Sequence, residues 1–471
     1  MNRRQFAKSS ILLGAGLGIN KFRFSAGPDY PVVRVAEGSR KFRSEAIEAA
    51  IQEFQSAVKN SELGWLFGNC FPNTLDTTVT FNNKGPKPNT YVITGDIDAM
   101  WLRDSSAQVW PYLNFIEKDK ALQQLIAGVI NRQVVCILRD PYANAFYDDA
   151  NKTGEWKNDV TDMKPGLHER KWEIDSLCYP IRLAYRYWQL TGDTSPFDAN
   201  WLEAIKLTLK TFKEQQRKEN DGPYHFERKT EWATDGVPLS GYGYPIKPVG
   251  LICSTFRPSD DATIFSFLIP SNFFAVISLR QAAEMVSKIK QDEAVATELN
   301  KLATEVEEAL KLHAVVDHGL YGKIYAYEVN GYGSNNLMDD ANVPSLLSLP
   351  YLGAVPKTDP VYQNTRKMLL SLNNPFFFSG SAGEGIGGPH AGKDMIWPLG
   401  IIIRGLTSDN DDEIKRCIEV LKNSNAGTGF MHEAFNKNNA ANFTRKWFAW
   451  ANTLFSEFLW ETYKNKPHLL G

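Results

Sequence analysis

Segments with the apolar spacing of amphipathic α-helices follow one another along almost the whole chain, and this succession restricts the fold more than any other feature. Apolar residues recur at three- and four-residue intervals, the period of a helix with one buried face. Strand-like alternation is rare and predicts only short hairpins near residues 91–94 and 320–328. Besides a helix that begins near Ser105, the predicted helices cover residues 44–60, 120–138, 175–190, 201–218, 275–289, 294–313, 343–349, 362–372, 395–406, 411–424 and 441–463.

No linker, charge run or low-complexity block interrupts this pattern. A length of 471 residues suits either two or three average domains or one large domain. The unbroken helical pattern favours a single domain over residues 28–471.

Residues 1–27 are predicted to be a separate targeting segment. Arg3 and Arg4 are followed by an apolar stretch at 11–19 and by Ser-Ala-Gly at 25–27, which resembles a twin-arginine export signal. The alternative is a frayed N-terminal helix. The apolar stretch is too short to span a bilayer, and no membrane span is expected later in the chain. We therefore expect a periplasmic or otherwise exported protein.

The charge and the reactive side chains exclude several classes of function. The net charge is −2 and no basic stretch stands out, so a nucleic-acid partner is not expected. The five cysteines are scattered without a C-x-x-C pair, their odd number argues against a full disulfide framework, and the seven histidines are dispersed. The glycine-rich residues 380–388 lack the Lys-Ser/Thr of a phosphate loop. No cofactor and no metal is predicted, although Ca²⁺ bound by acidic oxygens stays open.

Six clusters of polar and aromatic residues precede alternate helices, whereas the helices between them have plain amphipathic faces. The clusters are DIDAMWLRD (96–104), HERKWEID (168–175), FRPSDD (256–261), NNLMDDANVP (335–344), GPHAGKDMIWP (388–398) and GFMHEAFN (429–436). Helix capping explains single acidic residues such as Asp104 or Asp340, but not their Arg, Trp and His companions. If alternate helices form the inner ring of a closed barrel, the six loops converge on one pocket. The sequence therefore predicts an all-α (α/α)6 barrel with minor β-hairpins in its loops.

The residues of such a pocket suit a sugar. Aromatic faces interspersed with charged groups fit a ligand that has apolar C–H faces and hydroxyl edges. Hydrolysis of a glycosidic bond needs two carboxyl groups, and the clusters offer more than ten. From the residues alone the choice stays open. Adjacent Asp260 and Asp261, placed at the start of a helix, are expected to point about 100° apart, so that one of them faces the substrate.

Four of these stretches resemble the motifs of the exo-α-1,6-mannosidases of glycoside hydrolase family 125. They are GDIDAMWLRDSSAQVWPYL, HERKWEIDSLCYP, FRPSDDATIFSFLIPSN and MHEAFN, and the similarity extends from about residue 40 to 463. The resemblance implies an (α/α)6 barrel and metal-independent hydrolysis of non-reducing terminal α-1,6-linked mannose with inversion. It also implies a glutamate base at Glu433 and an aspartate acid within the SDD pair, Asp260 with Asp261 in reserve. The acid has to stay protonated near neutral pH, and Asp261 is expected to raise the pKa of Asp260 as a negative neighbour. The base has to stay ionised, for which Arg445 or His432 is the expected helper.

The remaining cluster residues are expected to bind the substrate. The resemblance assigns Asp96, Asp98, Arg103 and Asp104 to the terminal-sugar subsite. The convergence of the clusters adds Trp101, Trp172, Glu173, Asp175, Arg257, Asp340, His390 and His432. The partner is an α-mannoside or a mannose-containing glycan, and a monomer is expected.

Two other functions stay open. Another (α/α)6 carbohydrate enzyme, an unsaturated-uronyl hydrolase or a sugar epimerase, is the closer one. An epimerase needs histidine bases, for which His390 and His432 are the paired candidates. The other is an exported glycan-binding protein without turnover.

Overall fold

The computed structural model describes residues 30–471, so the predicted export signal at 1–27 lies outside the described residues. Thirteen α-helices occur in this part of the chain. In chain order, α1 to α13 are Glu45–Ala57, Ser61–Cys70, Asn73–Thr77, Leu102–Val109, Lys120–Arg139, Ile174–Thr191, Ala199–Gln215, Ile269–Met285, Glu293–His313, Pro360–Leu369, Pro398–Leu406, Asp411–Asn423 and Ala449–Asn465.

Side-chain caps fix where several of the outer helices begin. Asp119, Asp198 and Asp292 precede α5, α7 and α9, and each accepts a hydrogen bond from the backbone N–H three residues on. Such a cap satisfies one of the backbone donors that the first turn leaves unpaired. The starts of these outer helices can therefore be recognised in the sequence from their capping aspartates.

Five helices and one irregular segment form the inner layer. Helix α4 packs on α6, α6 on α8, α11 on α13, and α13, the last helix, packs back on α4. Outer helices cover them. Helix α5 packs on α6 and α7 packs on α5, while α9 packs on α8 and α12 on α11. The prediction of an (α/α)6 barrel is confirmed.

The sixth inner position departs from the prediction. A helix was predicted at residues 343–349, but residues 341–352 form turns whose leucines, Leu346 among them, are buried. Ser345 and Ser348 cap each other's backbone N–H groups, which supplies the backbone with partners other than helical carbonyls. Tyr179 of α6 donates to the carbonyl of Val343, so the segment lies against the inner layer as a helix would.

Other predicted boundaries shift for similar local reasons. The predicted starts at 395 and 441 are strands, and the helices begin later, at Pro398 and Ala449. The helix expected directly after Asp261 begins only at Ile269. Helices α2 and α3 were not predicted. Helix α2 is buried on most sides and so has no clear polar face to give it a periodic pattern.

Small antiparallel sheets tie the loops together. The predicted hairpins correspond to β1 (Val79–Asn82) with β2 (Asn89–Val92) and to β7 (Val315–His318) with β8 (Gly322–Tyr325). A further hairpin pairs β11 (Phe377–Ser379) with β12 (Glu384–Ile386).

Three three-stranded sheets join different clusters. The first is β3 (Met100–Trp101), β4 (Ala145–Phe146) and β5 (Leu167–Glu169). The second is β10 (Asn335–Asn336), β9 (Glu328–Val329) and β6 (Phe267–Leu268), and the third is β13 (Met395–Ile396), β14 (Ala434–Asn436) and β15 (Asn439–Thr444). These sheets hold the loops that carry the polar residues against one another.

Two further expectations concern the cysteines and the membrane. All five cysteines are buried and free. Among the described helices, Lys120–Arg139 is long and apolar enough by composition to cross a membrane, but 61% of its most apolar window is buried inside the fold. The expectation of no membrane span stays a prediction.

Candidate active site

The site is organised around the guanidinium of Arg103, which lies in the first turn of α4 and is buried. Its Nη1 lies 2.5 Å from Glu173 Oε2 and 3.3 Å from Asp175 Oδ2, and its Nη2 lies 3.0 Å from Asp260 Oδ1. Its Nε lies 3.5 Å from Asp104 Oδ2. One arginine therefore joins four carboxyl groups from three of the predicted clusters.

Asp260 occupies a tight turn rather than the start of a helix, which corrects the expectation for the SDD pair. Its N–H donates to the carbonyl of Arg257, and the N–H of Arg257 donates to the carbonyl of Asp261. Asp260 itself has φ +66°, a left-handed conformation that aspartate tolerates better than most residues. The buried ammonium of Lys171 donates to the Asp260 carbonyl at 2.7 Å and holds the turn in place.

The turn separates the two aspartates. The Asp260 side chain is 19% exposed, whereas the Asp261 side chain has no exposed surface and faces His390, with Oδ1 3.4 Å from Nδ1. Only Asp260 can meet a substrate in this conformation. The geometry therefore favours Asp260 over Asp261 as the acid.

The protonation of Asp260 differs from what its proposed role first suggested. Burial raises the pKa of Asp260, but the charge of Arg103, the ammonium of Lys171 and a hydrogen bond from Glu173 together hold its pKa below the usual value. Asp261 was expected to raise the pKa of Asp260 as a negative neighbour, but its carboxyl points the other way. The pKa of Glu173 is raised instead, because burial, Asp260 and Asp175 outweigh Arg103. Burial also raises the pKa of Asp104, and it raises the pKa of Asp175 to about 6.

Glu433 lies beside a second arginine. Arg445 Nη1 is 3.4 Å from Glu433 Oε1, its Nη2 donates to the Thr94 carbonyl at 2.8 Å, and the same nitrogen pairs with Asp96. The Glu433 side chain is 12% exposed. Arg445 therefore places a positive charge beside the Glu433 carboxyl.

A short chain of contacts connects the two arginines. The Thr94 hydroxyl donates to Asp104 Oδ1 at 2.7 Å, and Asp104 in turn lies beside Arg103. Asp260 and Glu433 are 173 positions apart in sequence, yet they belong to one continuous polar network. The first, second, third and sixth clusters thus converge as predicted.

The fourth and fifth clusters join the network through contacts with Ser259 and Asp261 of the SDD turn. Ser259 donates to Asp340 Oδ2 at 2.7 Å, and His390 contacts Asp261. Asp340 is fully buried, so it supports the turn and does not reach the surface of the site. His390 remains partly exposed beside that turn.

Several residues predicted to bind substrate lie elsewhere. Trp172 is fully buried and its indole donates to the carbonyl of Cys253, so it is a core residue with no face open to a sugar. Arg257 is buried and paired with Glu328. Asp98 is exposed, pairs with Lys152 and lines a separate groove with Tyr91.

Trp101 and His432, two further predicted binding residues, offer little surface or few free atoms to a substrate. Trp101 is 6% exposed and packs edge-on against His168, so little of its ring faces solvent. The nitrogens of His432 lie 2.8 Å from the Lys446 carbonyl and 3.2 Å from the Asn425 carbonyl, and burial lowers the pKa of His432. Since both nitrogens are engaged by the backbone, His432 does not contact Glu433 as a helper and is not available as a base.

Sequence reasoning missed two residues of the network, Lys171 and Asn144. Lys171 lies inside the HERKWEID cluster and could have been noticed there. Arg445 was considered as a helper of Glu433, although it lies nine residues beyond the last cluster, in the turn after β15. The Asn144 amide donates to Glu169 Oε2 at 3.0 Å and lies 3.4 Å from Asp260 Oδ1, but the surrounding sequence PYANAF carries no signal for it.

Within residues 30–471, no group of three or more His, Cys, Asp or Glu side chains has the arrangement of a metal site. The carboxyls of the network instead surround arginine and lysine. The cations that these carboxyls contact are therefore protein side chains.

Comparisons with known proteins agree with this geometry. Residues 60–460 match the family described as metal-independent α-mannosidase (GH125). The chain is 42% identical to the meiotically up-regulated gene 157 protein of Schizosaccharomyces pombe, over 93% of this chain and 90% of that protein.

Solved structures show the same similarity. A metal-independent α-mannosidase from Streptococcus pneumoniae, solved in a non-productive complex with α-1,6-mannobiose, superimposes with a TM-score of 0.87 and 40% identity. The match covers 90% of this chain and 100% of that one. A bacterial glucoamylase bound to acarbose gives a TM-score of 0.55 at 12% identity, covering 89% of this chain and 59% of that one, which shows the fold alone.

Proposed function

The chain belongs to the metal-independent α-mannosidases of glycoside hydrolase family 125, and we propose on this basis that it releases mannose from the non-reducing ends of α-1,6-linked mannosides, with inversion. The α-1,6-mannobiose in the Streptococcus pneumoniae neighbour supports the choice of linkage.

The observation that carries the proposal is the placement of Asp260 and Glu433. Each is a partly exposed carboxyl at the edge of a largely buried polar network, and each is held by its own arginine. Inverting hydrolysis needs an acid that protonates the leaving oxygen and a base that activates water, with their carboxyls roughly 6.5–9.5 Å apart. Asp260 takes the part of the acid and Glu433 that of the base.

The groups around these carboxyls support recognition of a terminal sugar. Asp96, Arg445 and His390 are partly exposed beside them and offer both acceptors and donors to sugar hydroxyls. Arg103, Asp104 and Asp175 lie behind them and fix the orientation of the exposed groups.

The alternative functions lose support at specific residues. A sugar epimerase would need two available imidazoles, whereas both nitrogens of His432 are bound to backbone carbonyls. A glycan-binding protein without turnover would have no need for two partly exposed carboxyls on separate arginines.

One assay tests the proposal. Purified protein is incubated with α-1,6-mannobiose and the products are followed by NMR. We expect mannose release, with β-mannose appearing before mutarotation, and we expect the same rate in EDTA. The appearance of α-mannose first would contradict inversion and the assigned roles, while failure to cleave would leave glycan binding as the better description.

We further propose that the protein acts after export, as a monomer without a membrane span. The Arg3–Arg4 pair and the apolar stretch behind it support export. The substrate would then be a mannose-containing glycan encountered in the periplasm or beyond.

A further inference from the structure

Four carboxyl groups and one guanidinium form a buried cluster beside the exposed edge of Asp260. Asp104, Glu173, Asp175 and Asp260 each lie within 3.5 Å of an Arg103 nitrogen. If all four were ionised, one positive charge would face four negative charges with little water to screen them. Burying uncompensated charge is costly, so such a cluster holds protons instead.

The neighbouring cations do not remove this excess. The Lys171 ammonium lies on the Asp260 carbonyl, but it already pairs with Asp235 and lies 3.4 Å from Glu169. Arg445 faces Asp104 from the far side and is occupied by Asp96 and Glu433.

The contacts of Glu173 suit a carboxyl that carries a proton. Its Oε2 is 2.5 Å from Arg103 Nη1 and accepts a hydrogen bond from the Ser176 hydroxyl at 2.8 Å. Its Oε1 is buried and receives no hydrogen bond from a donor within residues 30–471. An oxygen in this position is satisfied if it carries a proton and donates it. Asp260 is an adjacent acceptor, because its Oδ1 contacts Arg103 Nη2 while Glu173 Oε2 contacts Nη1 of the same guanidinium. A hydrogen bond from Glu173 accordingly helps to lower the pKa of Asp260.

We propose that Glu173 is a positioning residue that stores the proton used by Asp260 and passes it to that carboxylate in each turnover. The inference rests on the proposed role of Asp260 as the acid. The proposal explains how Asp260 can act as an acid although its carboxyl pairs with Arg103. The proton that Asp260 needs is held on the adjacent carboxyl of Glu173.

Glu173 gives its proton to Asp260, and Asp260 gives a proton to the glycosidic oxygen as the bond from that oxygen to the anomeric carbon breaks, its electron pair moving to the oxygen. Water attacks the anomeric carbon and loses a proton to Glu433. After the products leave, Glu433 releases its proton to solvent, and the Glu173–Asp260 pair takes one up.

Substitution of Glu173→Gln tests the proposal, because glutamine keeps the shape and a hydrogen-bond donor but cannot supply the proton. With α-1,6-mannobiose at neutral pH we expect a loss in kcat/KM on the order of a hundredfold, as for removal of general-acid assistance. Activity should recover as the pH falls, so that the basic limb of the pH profile moves to lower pH. An activated aryl α-mannoside, whose leaving group needs little protonation, should lose only a few-fold. Equal losses on both substrates with an unchanged pH profile would show a merely structural role and overturn the proposal.

A second readout does not depend on activity. Infrared spectra at mildly acidic pH should contain a protonated-carboxyl signal that disappears in Glu173→Gln, and an unchanged signal would contradict the proposal. Glu457→Gln is the matched control, since burial raises the pKa of Glu457 to about 7 and its carboxyl contacts Trp110 and Tyr351 away from the cluster. That variant should lose its own carboxyl signal and keep the wild-type pH profile.

Asp260→Asn separates this inference from the function it rests on. If that variant still cleaves mannobiose, the assignment of the acid fails and the Glu173 proposal fails with it. If Asp260→Asn is inactive while Glu173→Gln keeps the wild-type pH profile, the assignment of the acid stands and only the proposal for Glu173 is refuted.

Discussion

At the scale of single residues, the backbone conformation of one aspartate decides which carboxyl of the SDD pair is exposed. The positive φ of Asp260 turns its side chain towards Arg103 and leaves it partly exposed, while Asp261 points into the protein beside His390. Adjacent residues of the same type therefore have different roles, one at the site and one beneath it.

This difference predicts a different result for each aspartate. Asp260→Asn should fold normally and lose on the order of a hundredfold or more in kcat/KM for α-1,6-mannobiose, because asparagine cannot protonate the leaving group. The aryl mannoside should be affected much less. Glu433→Gln should lose a comparable factor on both substrates, because each needs an activated water. An almost fully active Asp260→Asn with an inactive Asp261→Asn would reverse our choice within the pair.

At the scale of elements, close contacts between inner helices set the geometry of the ring. Gly405 in α11 faces Phe458 in α13, and a Cβ at Gly405 would lie 2.3 Å from Phe458 Cζ. These helices follow the fifth and sixth clusters. Their spacing therefore also sets the distance between the loops that carry His390 and Glu433.

Gly405→Ala should consequently be destabilising. The added methyl group has to displace a buried aromatic ring, a form of overpacking that costs about 1–3 kcal/mol of unfolding free energy. Urea unfolding followed by circular dichroism measures the change. Gly38→Ala is the control, since no atom lies within 4 Å of a Cβ placed there. Equal stability of the two variants would show that α11 and α13 can separate without cost.

At the scale of the whole molecule, closure of the ring brings the beginning and the end of the chain into one site. Helix α13 packs on α4, and Arg445, in the turn that precedes α13, reaches back to Thr94 and Asp96 ahead of α4. The network around Arg103 and Glu433 thus depends on contacts between distant segments, such as the Arg445–Thr94 hydrogen bond, whose partners are 351 positions apart. The site exists only when the complete ring has formed, which suits a route of export that carries folded proteins.

Replacement of the paired arginines tests that route. A variant with Arg3→Lys and Arg4→Lys should remain in the cytoplasm with its mannosidase activity intact, because the change blocks recognition of the signal and leaves the fold untouched. Cell fractionation with an activity assay measures the distribution. Arg43→Lys, at an exposed position outside the signal, should be exported like the wild type. Unchanged export of the double variant would refute the twin-arginine interpretation.

The sequence by itself determined the class of fold and which segments of the chain contribute residues to the site. Helical periodicity records which face of a segment is buried, and this information is local, so the outer helices with caps at Asp119, Asp198 and Asp292 could be predicted closely. The motifs around Arg103, Asp260 and Glu433 likewise contain the residues that the structure brings together.

Only the tertiary structure decided how each cluster residue is used. Trp172, Arg257 and Asp340 share motifs with site residues, but packing places them in the core or beneath the SDD turn. Asn144 and Arg445 reach the site through contacts with residues distant in sequence, which no local pattern records. The protonation of the carboxyls also depends on the tertiary structure, because the pKa of a carboxyl depends on its burial and on the charges around it. Glu173 and Asp260 are 87 positions apart, and only their meeting at Arg103 places a raised pKa on one and a lowered pKa on the other.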